Sequence, residues 1–143
     1  MSYTLGPRSR ANLAGVHPDL VRVVEHAIQI TRQDFFVVEG VRTPERQSEL
    51  YAQGRTAPGP VVTWTKTSRH FRGVDGYGRA VDLVPWPIDW NTPAKFDAIY
   101  AAMMAAAEEA GVAVRSGMDW DGDGNPRERG ESDSPHFELG WGG

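Results

Sequence analysis

Apolar residues recur at helical spacing from Pro18 onward: Leu20, Val23, Val24, Ala27 and Ile28 form one stripe, while Arg22, Glu25, His26 and Gln29 face the other way. This spacing predicts an amphipathic helix over residues 18–31 with one side turned to a core. Phe35-Phe36-Val37-Val38 is a short run of β-favouring residues and predicts a buried strand leading into Glu39-Gly40-Val41-Arg42. Thr43-Pro44-Glu45 then reads as a helix start. Thr43 can cap, Pro44 suits the first helical position, and Glu45 meets the positive end of the dipole. A second helix is expected over 44–53, stopped by Gly54, so Arg42 stands at a strand-to-helix junction.

Residues 55–67 are rich in Gly, Pro and Thr and predict a long loop with at most one edge strand, Val61, Val62 and Trp64 being the apolar exceptions. Trp64 and Tyr77 are candidates to line a groove, although packing is the commoner role of an aromatic. Ala80-Val81-Asp82-Leu83-Val84 reads as a strand that Pro85-Trp86-Pro87 must turn away. The clearest helix spans 93–110, with Phe96, Ile99, Tyr100, Met103 and Ala107 on one stripe and Gly111 as its stop. Val112-Ala113-Val114 predicts a further strand. Residues up to Val16 mix Gly, Pro, Arg and Ser without periodicity and are expected to form a leading arm with no chemistry of its own.

A chain of 143 residues with 40% hydrophobic content suffices for one core, so a single domain over 1–143 is expected. The absence of cysteine excludes disulfides and thiolate metal sites, leaving imidazole and carboxylate as the available metal ligands. No apolar run reaches the length of a signal peptide or a membrane span, and folding in the cytoplasm is the expectation. A net charge of −4 without blocks of like charge argues against nucleic acid as the main partner.

Chemistry concentrates in two stretches, Ser68 to Val84 and Asp133 to Leu139. His70, His136 and one carboxylate suffice to hold a zinc ion with one position left for water, the arrangement of catalytic zinc. Asp82 is the preferred carboxylate because it lies in a strand, with Asp75 as the rival. Asp133, three residues before His136, is placed to take a proton from water beside the metal. His17 and His26 lie at the mouth and on the polar face of the first helix, where a solvated role is expected. Asp119, Asp121 and Asp123, with Gly122 and Gly124 between and after them, form a candidate Ca2+ loop, imperfect against the EF-hand pattern because an acid at the twelfth position and flanking helices are missing. An ordinary solvated acidic turn is the plain alternative.

Ser68-x-His70, Gly78-x-Ala80-x-Asp82 and the late His136 resemble the fingerprint of the zinc peptidases that cut bacterial cell-wall peptides. That group comprises D-alanyl-D-alanine carboxypeptidases, vancomycin-resistance dipeptidases and phage L-alanyl-D-glutamate endopeptidases. His70 and Asp82 are farther apart here than in the uninterrupted pattern, the surplus lying within Phe71 to Tyr77. The segment from Glu39 to Gln47 also resembles the family's stretch ahead of the zinc motif. The resemblance implies that Arg42 binds substrate and steadies an oxyanion, with Gln47 and Ser68 as further substrate-side residues; a surface ion pair of Arg42 with Glu39 or Glu45 is the plain alternative. It further implies an α+β fold of the Hedgehog/D,D-peptidase type: a small, mainly antiparallel sheet with helices packed on one side. The implied function is that of a monomeric phage or prophage endolysin. Such an enzyme stays in the host cytoplasm until a membrane-permeabilising partner releases it, and it cuts the L-alanyl-D-glutamate bond of peptidoglycan stem peptides. A D-alanyl-D-alanine or L,D-carboxypeptidase, and a non-catalytic zinc-stabilised wall-binding module, are the competing readings.

Overall fold

The computed structural model describes residues 3–58, 70, 76–117 and 133–140, excluding the side chains of residues 44, 46, 47 and 133. Among them, in chain order, lie α1 (Pro7–Leu13), α2 (Pro18–Ile30), β1 (Phe35–Glu39), α3 (Pro44–Ala52), β2 (Ala80–Pro85), α4 (Pro93–Ala110), β3 (Val114–Gly117) and β4 (Asp133–Leu139). The strands form one antiparallel sheet in the order β1-β2-β4-β3. This is the α+β arrangement expected from the sequence.

The core follows from two periodicities. The stripe of α2, Leu20, Val23, Val24, Ala27 and Ile28, is buried together with Ile99, Ala102, Met103, Ala106 and Ala107 of α4. Alternate strand positions complete it: Phe35 and Val37 of β1, Val81 and Leu83 of β2, and Phe137 of β4. Gly111 ends α4 in the left-handed conformation at φ 69°, and the following Val112 N–H closes back on Ala107. β2 stops where Pro85-Trp86-Pro87 begins, as its composition demands.

The leading segment departs from expectation. Residues 7–13 are helical, and Leu5, Leu13 and Val16 belong to the core. α1 lies along β1, an edge strand among the described residues, and takes the place of a neighbouring strand there. Ser9 Oγ accepts from the Val37 N–H at 2.9 Å, and Asn12 Nδ2 donates to the Val37 carbonyl at 2.8 Å. Both backbone groups that Val37 would otherwise leave bare are thus met by side chains. The sequence conceals this helix because one of its two buried residues is a serine, held by a hydrogen bond instead of an apolar stripe. The expected strand at 112–114 begins only at Val114.

β1 carries an irregularity that sets up the site. Val37 pairs with Leu83, but Glu39 pairs with Asp82, so Val38 is an extra residue in the strand. Strict alternation from Phe35 and Val37 would turn Glu39 toward the core. The bulge turns it instead to the face shared by Asp82.

Candidate metal centre

Asp82 of β2 and His136 of β4 are directly paired across the ladder, and both lie on the pleat face opposite the core residues Val81 and Phe137. The third residue, His70, comes from the segment between α3 and β2. One ligand atom from each of His70, Asp82 and His136 lies within 4.8 Å of the others. His136 Nδ1 is 3.3 Å, and His70 Nε2 is 3.5 Å, from the same Asp82 Oδ1.

Each ring is fixed by its other nitrogen. His70 Nδ1 donates to the Gly40 carbonyl at 2.7 Å. A carbonyl only accepts, so this contact places the hydrogen on Nδ1 and leaves a lone pair on the buried Nε2. His136 Nε2 meets Glu138 Oε1 at 2.9 Å, which turns Nδ1 toward Asp82. Glu138 is itself buried and accepts from Arg115 Nη2 at 2.9 Å.

The backbone of His70 is equally constrained. Its carbonyl accepts from the Arg42 N–H at 2.8 Å. Gly78 passes so close that a Cβ there would stand 2.9 Å from the His70 oxygen and 3.2 Å from Val41 Cγ2. Gly40 is tighter still: its Cβ would overlap the Asn12 carbonyl oxygen. The glycine of the Gly-x-Ala-x-Asp motif is therefore a requirement of close backbone approach. Ala80, two residues on, faces Glu138 across the ladder.

Burial works to raise the pKa of Asp82, but the hydrogen bonds and positive charge that His136 and His70 supply when protonated outweigh it and hold the carboxyl well below the usual range. Asp82 is therefore an anion. Glu138 behaves alike: burial pushes it up, and hydrogen bonds from His136 and Arg115 bring it below its ordinary value. With both rings neutral, two imidazole lone pairs and a carboxylate oxygen converge on one point, an arrangement that repels unless a cation lies among them. A proton can meet that demand in the metal-free protein, and a divalent ion meets it better. The donor set fits an ion of the zinc type, which takes nitrogen and oxygen ligands.

Arg42 adjoins this cluster. Its Nε and Nη2 donate to Glu39 Oε1 and Oε2 at 2.9 and 2.6 Å, a two-pronged contact, and Nη2 is 3.5 Å from Asp82 Oδ2. Its side chain is only 11% exposed. The ion pair with Glu39 weighed as the plain alternative is thus present, but beside the cluster and partly buried. The other anticipated residues divide. Asp133 opens β4 and pairs through its backbone with Gly117, but its side chain and that of Gln47 lie outside the described set. Ser68, Asp75, Trp64, Asp119, Asp121 and Asp123 also lie outside the described residues. His17 is half-buried and caps α2 by accepting from the Asp19 N–H, its ring 5.6 Å from Tyr77, and His26 pairs with Glu109 at 2.7 Å. Glu138, Arg115 and Gly40 were given no role from sequence. For Glu138 a signal existed, since His136-x-Glu138 in a strand puts both side chains on one face.

A family model of the phage L-alanyl-D-glutamate peptidase matches residues 1–140. The chain belongs to that family. It is 32% identical to the L-alanyl-D-glutamate peptidase of Escherichia phage T5 over 145 residues, covering 97% of this chain and 99% of that protein. It is 29% identical over 110 residues to the peptidoglycan L-alanyl-D-glutamate endopeptidase CwlK of Bacillus subtilis, covering 74% of this chain and 60% of CwlK. The crystal structure of the Serratia marcescens L-Ala D-Glu endopeptidase ChiX superposes with a TM-score of 0.72 at 35% identity, covering 94% of this chain and 87% of that one.

Proposed function

We propose that this chain is a zinc endopeptidase that hydrolyses the L-alanyl-D-glutamate bond of peptidoglycan stem peptides. The observation that carries the reading is the convergence of His70, Asp82 and His136 on one point, in a member of a peptidase family. These three residues would hold the ion. When bound, zinc supplies Lewis acidity, acidifying water toward neutrality and polarising a carbonyl.

The chain's own residues do the rest. Asp133, on the same strand as His136, takes a proton from the attacking water and delivers it to the amine of the departing D-glutamate residue. Arg42, held in place by Glu39, steadies the oxyanion that develops on the alanyl carbonyl. Gln47 and Ser68 act on the substrate side. The products are a peptide ending in the L-alanine carboxylate and one beginning with the D-glutamate amine. In this reading the 143 residues act as one catalytic domain and as a monomer. The protein stays in the host cytoplasm until the membrane is permeabilised and then reaches the wall. Among the described residues no helix is long and apolar enough to cross a membrane. Asp119, Asp121 and Asp123 would form a calcium-sensitive loop, which calorimetric titration with calcium tests directly.

The deciding experiment is digestion of purified muropeptides by the zinc-loaded protein, with mass spectrometry of the products. A new amino-terminal D-glutamate is the expected result. Release of terminal D-alanine alone would make the protein a carboxypeptidase. Intact muropeptides in the presence of bound zinc would make it a non-catalytic module.

A further inference from the structure

Behind the metal cluster lies a charged pair that the hydrolytic reading does not use. Arg115 on β3 stands directly across from Glu138 on β4, and the two Glu138 oxygens are divided between neighbours on either side. Oε2 accepts from Arg115 Nη2 at 2.9 Å, and Oε1 accepts from His136 Nε2 at 2.9 Å. A carboxylate accepting at both oxygens is ionised, so the hydrogen of the second contact belongs to the ring. Glu138 could not rest there as an anion without compensation, since its side chain is only 4% exposed, whereas Arg115 at 30% reaches solvent. The result is a connected row across three elements: guanidinium, carboxylate, imidazole and then the Asp82 carboxylate.

We infer that Arg115 and Glu138 act as one positioning pair for His136, fixing its ring with Nε2 protonated and Nδ1 aimed at Asp82, and thereby setting how tightly the site holds its metal. His70 is oriented differently, by the neutral Gly40 carbonyl. The two imidazoles are therefore unequal ligands, and the charged outer contact makes His136 the stronger donor. This inference rests on the reading of the cluster as a metal site.

The test compares zinc dissociation constants, from competition with a chelating fluorophore, for the wild-type chain, Glu138→Gln, Arg115→Met, the double variant and Arg115→Lys. Glu138→Gln keeps the shape and an acceptor for Nε2 but removes the charge, and Arg115→Met removes the charge that compensates Glu138. Each single change should weaken zinc by about 10- to 100-fold. The double variant should be no weaker than the weaker single, because each change disables the same device. Arg115→Lys should recover most of the loss. Circular dichroism identifies the variants that remain folded. Folded single variants with zinc affinity within twofold of wild type, or losses that simply add, would overturn the inference. A second measurement needs no metal: nitrogen-15 spectra of the apo protein should place the hydrogen of His136 on Nε2. A neutral ring carrying its only hydrogen on Nδ1 would overturn the pair's role even if zinc binds. Wild-type protein that binds no zinc would instead sink the hydrolytic reading, while the apo spectrum still reports on the pair.

Discussion

Replacing Gly40 with alanine tests how the site is held from outside. The added methyl would occupy the place of the Asn12 carbonyl oxygen and stand 3.0 Å from Val16 Cγ2. The obstructing atom is backbone, so no rotamer change relieves it; either α1 or the Gly40 peptide must move. Overpacking of a tight interior typically costs 1–3 kcal/mol, and a backbone clash belongs at the upper end, about 3 kcal/mol. For a chain of this size that corresponds to a drop of roughly 10 °C in melting temperature. The Gly40 carbonyl is also the acceptor for His70 Nδ1, so its displacement should weaken zinc binding by about 10- to 100-fold. Scanning calorimetry of the apo protein and chelator competition read the two effects separately. Gly6→Ala is the control, because nothing lies within 4 Å of its added methyl and the expected change is under about 1 kcal/mol. A Gly40→Ala protein with the control's stability and wild-type zinc affinity would refute both the crowding and the orienting role.

Other outcomes follow from the same geometry. His136→Ala should lose both zinc and muropeptide cleavage, as measured by metal content and product analysis, because two remaining protein ligands hold the ion too weakly. Asp133→Ala should retain zinc and lose turnover; near-normal turnover would remove Asp133 from the mechanism. Ser9→Ala should cost about 1–3 kcal/mol, seen as a lower urea midpoint at unchanged slope, because the Val37 N–H loses its acceptor. Asp89 accepts from Thr92 Oγ1, the Asn91 N–H and Lys95, which together lower its pKa from 3.8 to about 2. A depressed value means that its contribution to stability is complete above 3.8 and disappears as the pH falls through about 2. The melting temperatures of wild type and Asp89→Asn should therefore differ at neutral pH and converge in strong acid.

Elements whose stability comes from an apolar stripe were legible in the sequence. The periodicity of Leu20 to Ile28 and of Phe96 to Ala107 marks α2 and α4 because those residues enter the core. α1 was not legible, since Ser9 and Asn12 hold it by hydrogen bonds to a strand whose position the sequence does not reveal. The same contrast applies at the metal cluster. Fingerprint residues could be picked out, because each lies in a recognisable local pattern. What orients them could not: Gly40 acts through its backbone carbonyl, and Arg115 reaches Glu138 only by virtue of strand register.

The additional residue in β1 governs which kinds of genetic change this protein can absorb. Val38 is exposed, and most replacements of its side chain should pass unnoticed. Deleting it is another matter, since the strand would regain plain alternation and the Glu39 carboxylate would be driven into the greasy interior, away from Arg42. A substitution scan would pronounce the position inert, whereas a deletion scan would rank it among the most sensitive in the chain.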